Sequence, residues 1–510
     1  MVLTTYKSNR LSCSPDGNIR NTLIRLCIFA ILAAGVLLLF TQSASLLYEG
    51  AISDYNCFVF MSRAWADGHI PYVDFVDNKG PLLYLINRLG LWLGPGKTGI
   101  FVLEFIAFVL TFELLWRTGR EFGTSTKLNS LGALLAVFLY AYFLVEGNTT
   151  EEWSMPIIAL VLYMTAKILR MGIPRRFDSG HIVLFSFLSG VCLGLVTMIR
   201  PGNGTIIAGA AIGITFEIGR QRCWKQLLRC TSFFLIGLAA SVLPFVAWFA
   251  YNGALDAMVY AMIEMNLNYM TSFDPGGSTA ERLFSSIMQM SACIVLPLVA
   301  YFSDRRTGSR FFVTMLAMSA LTLLVFVCAS GWMHYFLLTV PLAWLAIALS
   351  KNFGQWARVA VVAGIVLPVM TIHPAALGWY VYNTYNNINV CSPAQATFRQ
   401  SKLIKKHVPE SQRDSIYIAM GAGEVACLEN LGVRPIGRYF GMQSMVLAMG
   451  GKASADIVLS FRQVCPRWFF SWEPIEKYPG IDGIFNYELV DSIPPSDFGY
   501  TARLYRRVWP

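Results

Sequence analysis

The chain has 510 residues, 55% of them hydrophobic and only 14% charged, with a formal net charge of +10. Soluble domains carry about 25% charged residues, so one large water-soluble core is excluded in favour of a membrane protein. The cations are dispersed among many loops instead of forming one basic surface, which sets aside nucleic acid as a partner.

The first apolar run covers residues 26–39, with a weaker extension to 47, and follows Lys7, Arg10, Arg20 and Arg25. The polar segment before it is long and no small-residue cleavage site follows, so it reads as a retained span with a cytoplasmic N-terminus rather than a signal peptide. Further spans are expected at 100–116, 128–144, 153–169, 182–199, 204–218, 232–250, 283–301, 311–329, 335–349 and 357–370. Each approaches the length needed to cross about 30 Å of hydrocarbon. That makes about eleven transmembrane helices, and Pro201, Pro244 and Pro341 can break or shorten three of them. Residues 82–93 are apolar but too short to span, and are expected at the interface.

Alternate loops are cationic: Arg117, Arg120 and Lys127; Arg170, Arg175 and Arg176; Arg220, Arg222, Lys225 and Arg229; Arg305, Arg306 and Arg310; Lys351 and Arg358. Lys and Arg mark cytoplasmic loops. The other face then receives the loop after Asp54, the turn 146–152, Arg200, the loop 251–280 and His334. Five separate elements bring polar groups to one side of the membrane, as expected for an enzyme acting on a lipid headgroup.

The stretch 54–84, DYNCFVFMSRAWADGHIPYVDFVDNKGPLLY, concentrates carboxylates, cations and rings just outside the bilayer. Asp54 can act as a general base on an acceptor hydroxyl or cap the helix expected at 55–65. Gly68 can end that helix and Pro71 limits its continuation. Asp74 and Asp77 could support a divalent metal through oxygen ligands, although their spacing is no specific metal motif, and Asp77 is with Glu152 a further catalytic candidate should Asp54 not be the base. Arg63, Tyr72, Asp74 and Tyr84 are candidate substrate-binding groups of the same loop. In the next outer turn, EGNTTEEW, Thr149 or Thr150 can cap a helix, and the glutamates suit its positive end. Glu152 is the acid favoured there for sugar binding or catalysis because it lies nearest the membrane.

Arg200, at the outer end of a span beside the Pro201–Gly204 turn, asks for an anionic partner. A lipid phosphate would serve, and so would the acids Glu151 and Glu152. The loop 251–280 carries Tyr269 and a Met- and Tyr-rich helix able to cover a lipid tail or to pack on its neighbours. His334 could contact phosphate, move a proton, or be structural.

Beyond residue 374 the pattern changes. Residues 375–400 read as a linker and 401–510 as a small extracytoplasmic α/β domain. Strands are expected at 415–420, 456–460, 489–493 and 502–508, with a helix at 424–431. Gly421-Ala422-Gly423 is read as a tight strand-to-helix turn. Most cysteines fall within spans, and Cys427 with Cys465 is one conceivable disulfide.

The run DYNCFVFMSRAWADGHIPYVDF followed by NKGPLLY resembles the first large loop of GT-C type polytopic glycosyltransferases that use polyprenyl-phosphate sugars. The resemblance covers roughly residues 24–370. It implies an acidic base soon after the first span, here Asp54, and a donor-phosphate contact from the Lys of a Lys-Pro-Pro-Leu run, here Lys79-Gly80-Pro81-Leu82. The alternative for Lys79 is snorkelling at the interface. The departures are Tyr55, where the family often has a second acid, and Gly80 in place of the first proline. An Arg and an Asn near a turn, here Arg200 and Asn203, also belong to the resemblance. It implies inverting transfer from a polyprenyl-phosphate sugar to a glycan, cell-envelope or lipid acceptor at the outer face of the cell membrane. The competing reading is a transporter or flippase of a lipid-linked glycan, for which neither repeated halves nor a path of ionisable groups is evident.

Overall fold

The computed structural model describes residues 15–41, 45–47, 54–144, 146–171, 180–272, 278–304, 310–327, 332–372, 374, 378, 394–419, 431–432, 436–439, 451–478, 480–481, 483–494 and 501–508. Its helices, in chain order, are α1 Pro15–Leu39, α2 Asp54–Ala66, α3 Pro81–Leu93, α4 Thr98–Glu121, α5 Thr126–Phe143 and α6 Thr150–Met171. They continue with α7 Gly180–Thr197, α8 Thr205–Arg220, α9 Trp224–Tyr251, α10 Leu255–Val259 and α11 Met265–Ser272. The membrane portion closes with α12 Thr279–Gln289, α13 Ser291–Asp304, α14 Arg310–Val327, α15 Thr339–Leu349 and α16 Gln355–Ile372.

The chain is an integral membrane protein. Among the described residues eight helices are long and apolar enough to span, and the pair α12 and α13, bent by 50°, makes a possible ninth. The helix α8, of 16 residues, and the apolar core of α14 fall short of that length. The expected single span at 283–301 is thus two helices. Its first half carries Glu281 and Arg282 and opens with a Ser278–Glu281 capping box, which suits a helix lying at the interface better than one inside hydrocarbon. All eleven residues of α15 are buried, making it the centre of the bundle. Trp344 donates to Asn129 Oδ1 at 2.8 Å, and Asn129 in turn donates to the Trp116 carbonyl.

Helices α7 and α9 pack backbone to backbone. A Cβ at Gly190 would lie 1.9 Å from the Phe234 carbonyl, and one at Gly237 2.1 Å from that of Phe187. Small residues let membrane helices approach in this way where no hydrophobic effect drives them together. Glu113, an acid within a span, is explained by Arg25 and Arg117, each 2.7 Å away.

The C-terminal portion holds a four-stranded sheet, β1 Ile416–Ala419, β2 Trp468–Ser471, β3 Tyr487–Ile493 and β4 Ala502–Arg507, in the order β1-β2-β4-β3. β1 and β2 are parallel and the other pairs antiparallel. Alternation along the strands gives the sheet two apolar faces. Ile416, Ile418, Trp468 and Phe470 pack on Leu403 and Ile404 of the helix Ala394–His407. Tyr417, Phe469 and Tyr505 join a second cluster that contains Ile457, Phe461, Tyr72, Tyr84 and Met258, so the sheet rests on the loop after Asp54.

Three expectations change here. Residues 456–460 lie inside a helix, Gly451–Val464, because Ile457 and Phe461, four apart and fully buried, present one helical face to the sheet. The helix Ala394–His407 begins inside the stretch read as linker. Strand β2 was not expected at all. The glycine turn at 421–423, the helix at 424–431 except Leu431, and Cys427 lie outside the described residues, while Cys465 is a free thiol.

Candidate functional site

The loop from Asp54 to Tyr84 is built around two buried tyrosines. α2 ends where Gly68 takes a φ of +95°, and the His69 amide closes back on the Ala64 carbonyl. Asp74 Oδ2 accepts the Ile70 amide at 2.7 Å and stabilises the next turn. Tyr72, itself at a φ of +69°, donates its hydroxyl to the Lys79 carbonyl at 2.7 Å, and Tyr84 donates to Asp77 Oδ2 at 2.8 Å. The other Asp77 oxygen accepts the Asn78 amide. Residues 77–79 are therefore clamped from within the loop.

Gly80 then docks this segment on the end of α7. Its amide donates to the Ile199 carbonyl at 2.8 Å, and a Cβ there would lie 2.0 Å from the Met198 carbonyl. Proline could not donate that bond and alanine would collide, so the glycine that departs from the Lys-Pro-Pro-Leu pattern has a reason in this chain. The result sets Lys79 beside Arg200. Lys79 Nζ donates to Asn78 Oδ1 at 2.6 Å and lies 3.9 Å from Asp77. Burial opposes its charge, but Asp77 and then Asp54 outweigh burial and raise it to about 12. Asn266 of α11 reaches across to donate to the Asn78 carbonyl at 2.8 Å. It follows a π-helical turn at Tyr260–Glu264, an irregularity frequent at functional sites.

A second turn, 146–152, reverses at Gly147 and Asn148, both with positive φ. Asn148 exchanges side-chain hydrogen bonds with Asn87 of α3 and accepts one from Trp153 at 2.7 Å. Thr149 caps α6 by accepting the Glu152 amide. Glu151, with no exposed side-chain surface, accepts from Arg200 Nη1 at 2.7 Å. The Arg200 guanidinium also stacks 3.9 Å over the Tyr335 ring. Glu146, half-buried, lies against the start of α2, where the Asp54 amide donates to it and the Asp54 carboxylate faces it. Burial, then that facing charge, pushes Glu146 up to about 8.

Asp54, Lys79, Arg200 and His334 thus come from four separate elements into electrostatic range of one another. Asp77, Tyr72 and Tyr84 brace Lys79 from behind. Asn203 donates to Ser154 at 3.0 Å and braces α6. Glu152 turns instead to Glu104 and Tyr140 inside the bundle. Asp74 holds the loop turn, Arg63 is exposed on the last turn of α2, and the side chain of Tyr269 lies outside the described residues. Sequence reasoning weighed Glu146 but favoured Glu152 over it, and assigned no role to Asn78, Asn87, Asn266 or Tyr335. Only Glu146 had a signal: a Gly-Asn pair after it, able to take positive φ and turn it outward.

Among the described residues no group of three or more His, Cys, Asp or Glu side chains is arranged to hold a metal ion. The spaced aspartates considered for a divalent ion are used otherwise, Asp74 on a backbone amide and Asp77 on Tyr84, Asn78 and Lys79.

No protein-family profile and no curated protein matches the sequence. Among solved structures, ArnT from Cupriavidus metallidurans bound to undecaprenyl phosphate aligns with a TM-score of 0.56 at 12% identity, over 96% of this chain and 98% of that one. The apo oligosaccharyltransferase of Archaeoglobus fulgidus gives 0.48 at 13% identity, over 92% of this chain and 73% of that one. Archaeal AglB from the same organism, in complex with an inhibitory peptide and a dolichol-phosphate, gives 0.47 at 13% identity, over 89% and 69%. The nearly end-to-end alignment with ArnT shows that the fold is of the GT-C glycosyltransferase type, the C-terminal portion included.

Proposed function

We propose that the chain transfers a glycosyl unit from a polyprenyl-phosphate sugar to a glycan, cell-envelope or lipid acceptor at the membrane face that carries Asp54. The observation that carries this reading is the convergence of one half-buried carboxylate, Asp54, with two cations, Lys79 and Arg200, at the end of a membrane bundle. Lys79 and the free edge of Arg200 hold the donor phosphate. Asp54 removes the proton of the acceptor hydroxyl as that oxygen attacks the anomeric carbon and the carrier phosphate leaves with the bonding electrons, which inverts the centre. His334 lines the phosphate side. The cationic loops of the opposite face support a site outside the cytoplasm. Incubating the purified protein with a panel of lipid-phosphate sugars and candidate acceptors, with products identified by mass, tests the reading; no glycosylated product from any pair would reject it.

Neutral replacement of Lys79, as Lys79→Met, is expected to weaken carrier-lipid phosphate binding about tenfold or more, because a charge-assisted contact is worth roughly 1.5–3 kcal/mol. Binding of undecaprenyl phosphate to the variant, followed by fluorescence or calorimetry, checks it, and an unchanged affinity would remove Lys79 from the donor site.

Glu146 gives the site a pH dependence. Below about 8 it keeps its proton and adds no charge to the site. As pH rises through that value its negative charge forms and opposes the anionic donor, so carrier affinity should fall on the alkaline side and stay level in Glu146→Gln. The folded chain holds a proton that the unfolded chain releases in the ordinary carboxyl range. Its contribution to stability is therefore full in acid and is lost as pH rises through about 8. Carrier binding titrated from neutral to alkaline pH in both proteins decides the point.

A further inference from the structure

Glu104, in the middle of α4, and Glu152, in the first turn of α6, are both fully buried, and their side chains meet. One oxygen of Glu104 accepts the Asn148 backbone amide. Among the described residues the other oxygen, and both oxygens of Glu152, have no hydrogen bond of good geometry, although the Tyr140 hydroxyl and the Asn148 and Thr149 amides approach Glu152. The Tyr140 hydroxyl is beside them, and Lys97 at the start of α4 adds an attractive field on Glu104. Two carboxylates in contact and shut away from water repel each other and lose their hydration, and a single buried ion already costs several kcal/mol when it is not paired. One proton between them removes both penalties. It supplies the hydrogen bond that two facing carboxylates cannot make with each other and leaves a single charge spread over the pair.

The pair also stands at a structural junction. Asn148, held by Glu104 through its backbone and by Asn87 and Trp153 through its side chain, is the left-handed residue that reverses the 146–152 turn. The same turn carries Glu146 to Asp54 on one side and Glu151 to Arg200 on the other. Among the described residues this bond is what ties the backbone of the turn to α4.

We propose that Glu104 and Glu152 form a proton-sharing acid pair that positions this turn, fixing Glu146 against Asp54 and Glu151 against Arg200 without touching substrate. The catalytic part of this inference rests on the glycosyl-transfer reading, and the protonation part does not. The geometry asks only for a hydrogen-bonded pair, so glutamine can replace either partner: its amide supplies the donor that the proton supplied. A leucine cannot, and leaves the Asn148 amide and the remaining acid unpartnered.

The test uses the full-length purified protein and two readouts. Infrared spectroscopy should show the carbonyl stretch of a protonated carboxyl that shifts in D2O and is lost in the double variant Glu104→Gln/Glu152→Gln. In turnover, Glu104→Gln should keep kcat within about threefold, whereas Glu104→Leu should lower it by about 100-fold, the order expected when reacting groups are displaced by about 1 Å. Thermal unfolding midpoints in detergent should stay close to that of the unmodified protein in both, which separates mispositioning from unfolding. An infrared spectrum unaltered by the double replacement would overturn the shared proton. A Glu104→Gln variant as damaged as Glu104→Leu, or a Glu104→Leu variant with normal kcat, would overturn the positioning role. Absence of product from the unmodified protein would instead reject the transfer reading and leave the infrared result standing.

Discussion

Asp54→Asn should lower the rate of transfer by about 100-fold to 10,000-fold, the range general-base catalysis commonly supplies, while carrier-lipid affinity changes much less. Asp54 is the first residue of α2 and half-buried, facing Glu146 and within the field of Lys79 and His334. Asn keeps the size of the side chain and can still accept a hydrogen bond at the helix start, so the loss of capping is small. It cannot take a proton at neutral pH. Removing the negative charge also relieves repulsion of the donor phosphate, so donor binding should hold or tighten. Product formation at saturating donor, measured with carrier affinity in the same preparation, separates the outcomes. Near-normal turnover would sink the base assignment. Equal loss of folding and turnover would make Asp54 a cap.

The second large effect is on stability. Glu151 has no exposed side-chain surface and Arg200 only 13%, and they meet at 2.7 Å. Glu151→Leu strands the arginine, and breaking one side of a buried pair costs roughly 3–5 kcal/mol. The Tyr335 ring under the guanidinium recovers part of that, since a desolvated cation–π contact is worth about 2 kcal/mol. Substituting both partners, as Glu151→Leu/Arg200→Met, should recover most of the lost stability, because no charge is then left unpaired. Unfolding midpoints in detergent compare the three proteins. If the double variant is stable yet binds carrier phosphate as tightly as the unmodified chain, Arg200 is a structural partner of Glu151 and not a donor ligand.

Much of the membrane fold was legible because bilayer length and hydropathy leave few choices. Helices α4 to α7, α9, α15 and α16 fall where apolar runs fall. The bent pair α12 and α13 was not, since the signal that divides them is amphipathic polarity over three turns inside a run that is apolar on average. In the site, Asp54, Lys79 and Arg200 were readable from charge at membrane ends. Their supports were not. Asn78, Asn87 and Asn266 look like loop asparagines, and their value lies in pairings across 188 residues, as between Asn78 and Asn266, or 61, as between Asn87 and Asn148. The region 456–460 misled because Ile457 and Val458 sit side by side in a β-like composition, while the pattern that wins is the i, i+4 spacing of Ile457 with Phe461.

Arg438 donates from its side chain to the Tyr72 carbonyl, and its own carbonyl accepts the Val76 amide at 2.9 Å. These bonds join the first loop to a residue made 366 positions later. During synthesis, every membrane helix is in place before that partner exists, and the backbone around Tyr72 has to wait in water for it. The loop that carries Asp54 and Lys79 therefore takes its last bonds only after residue 438 has been made.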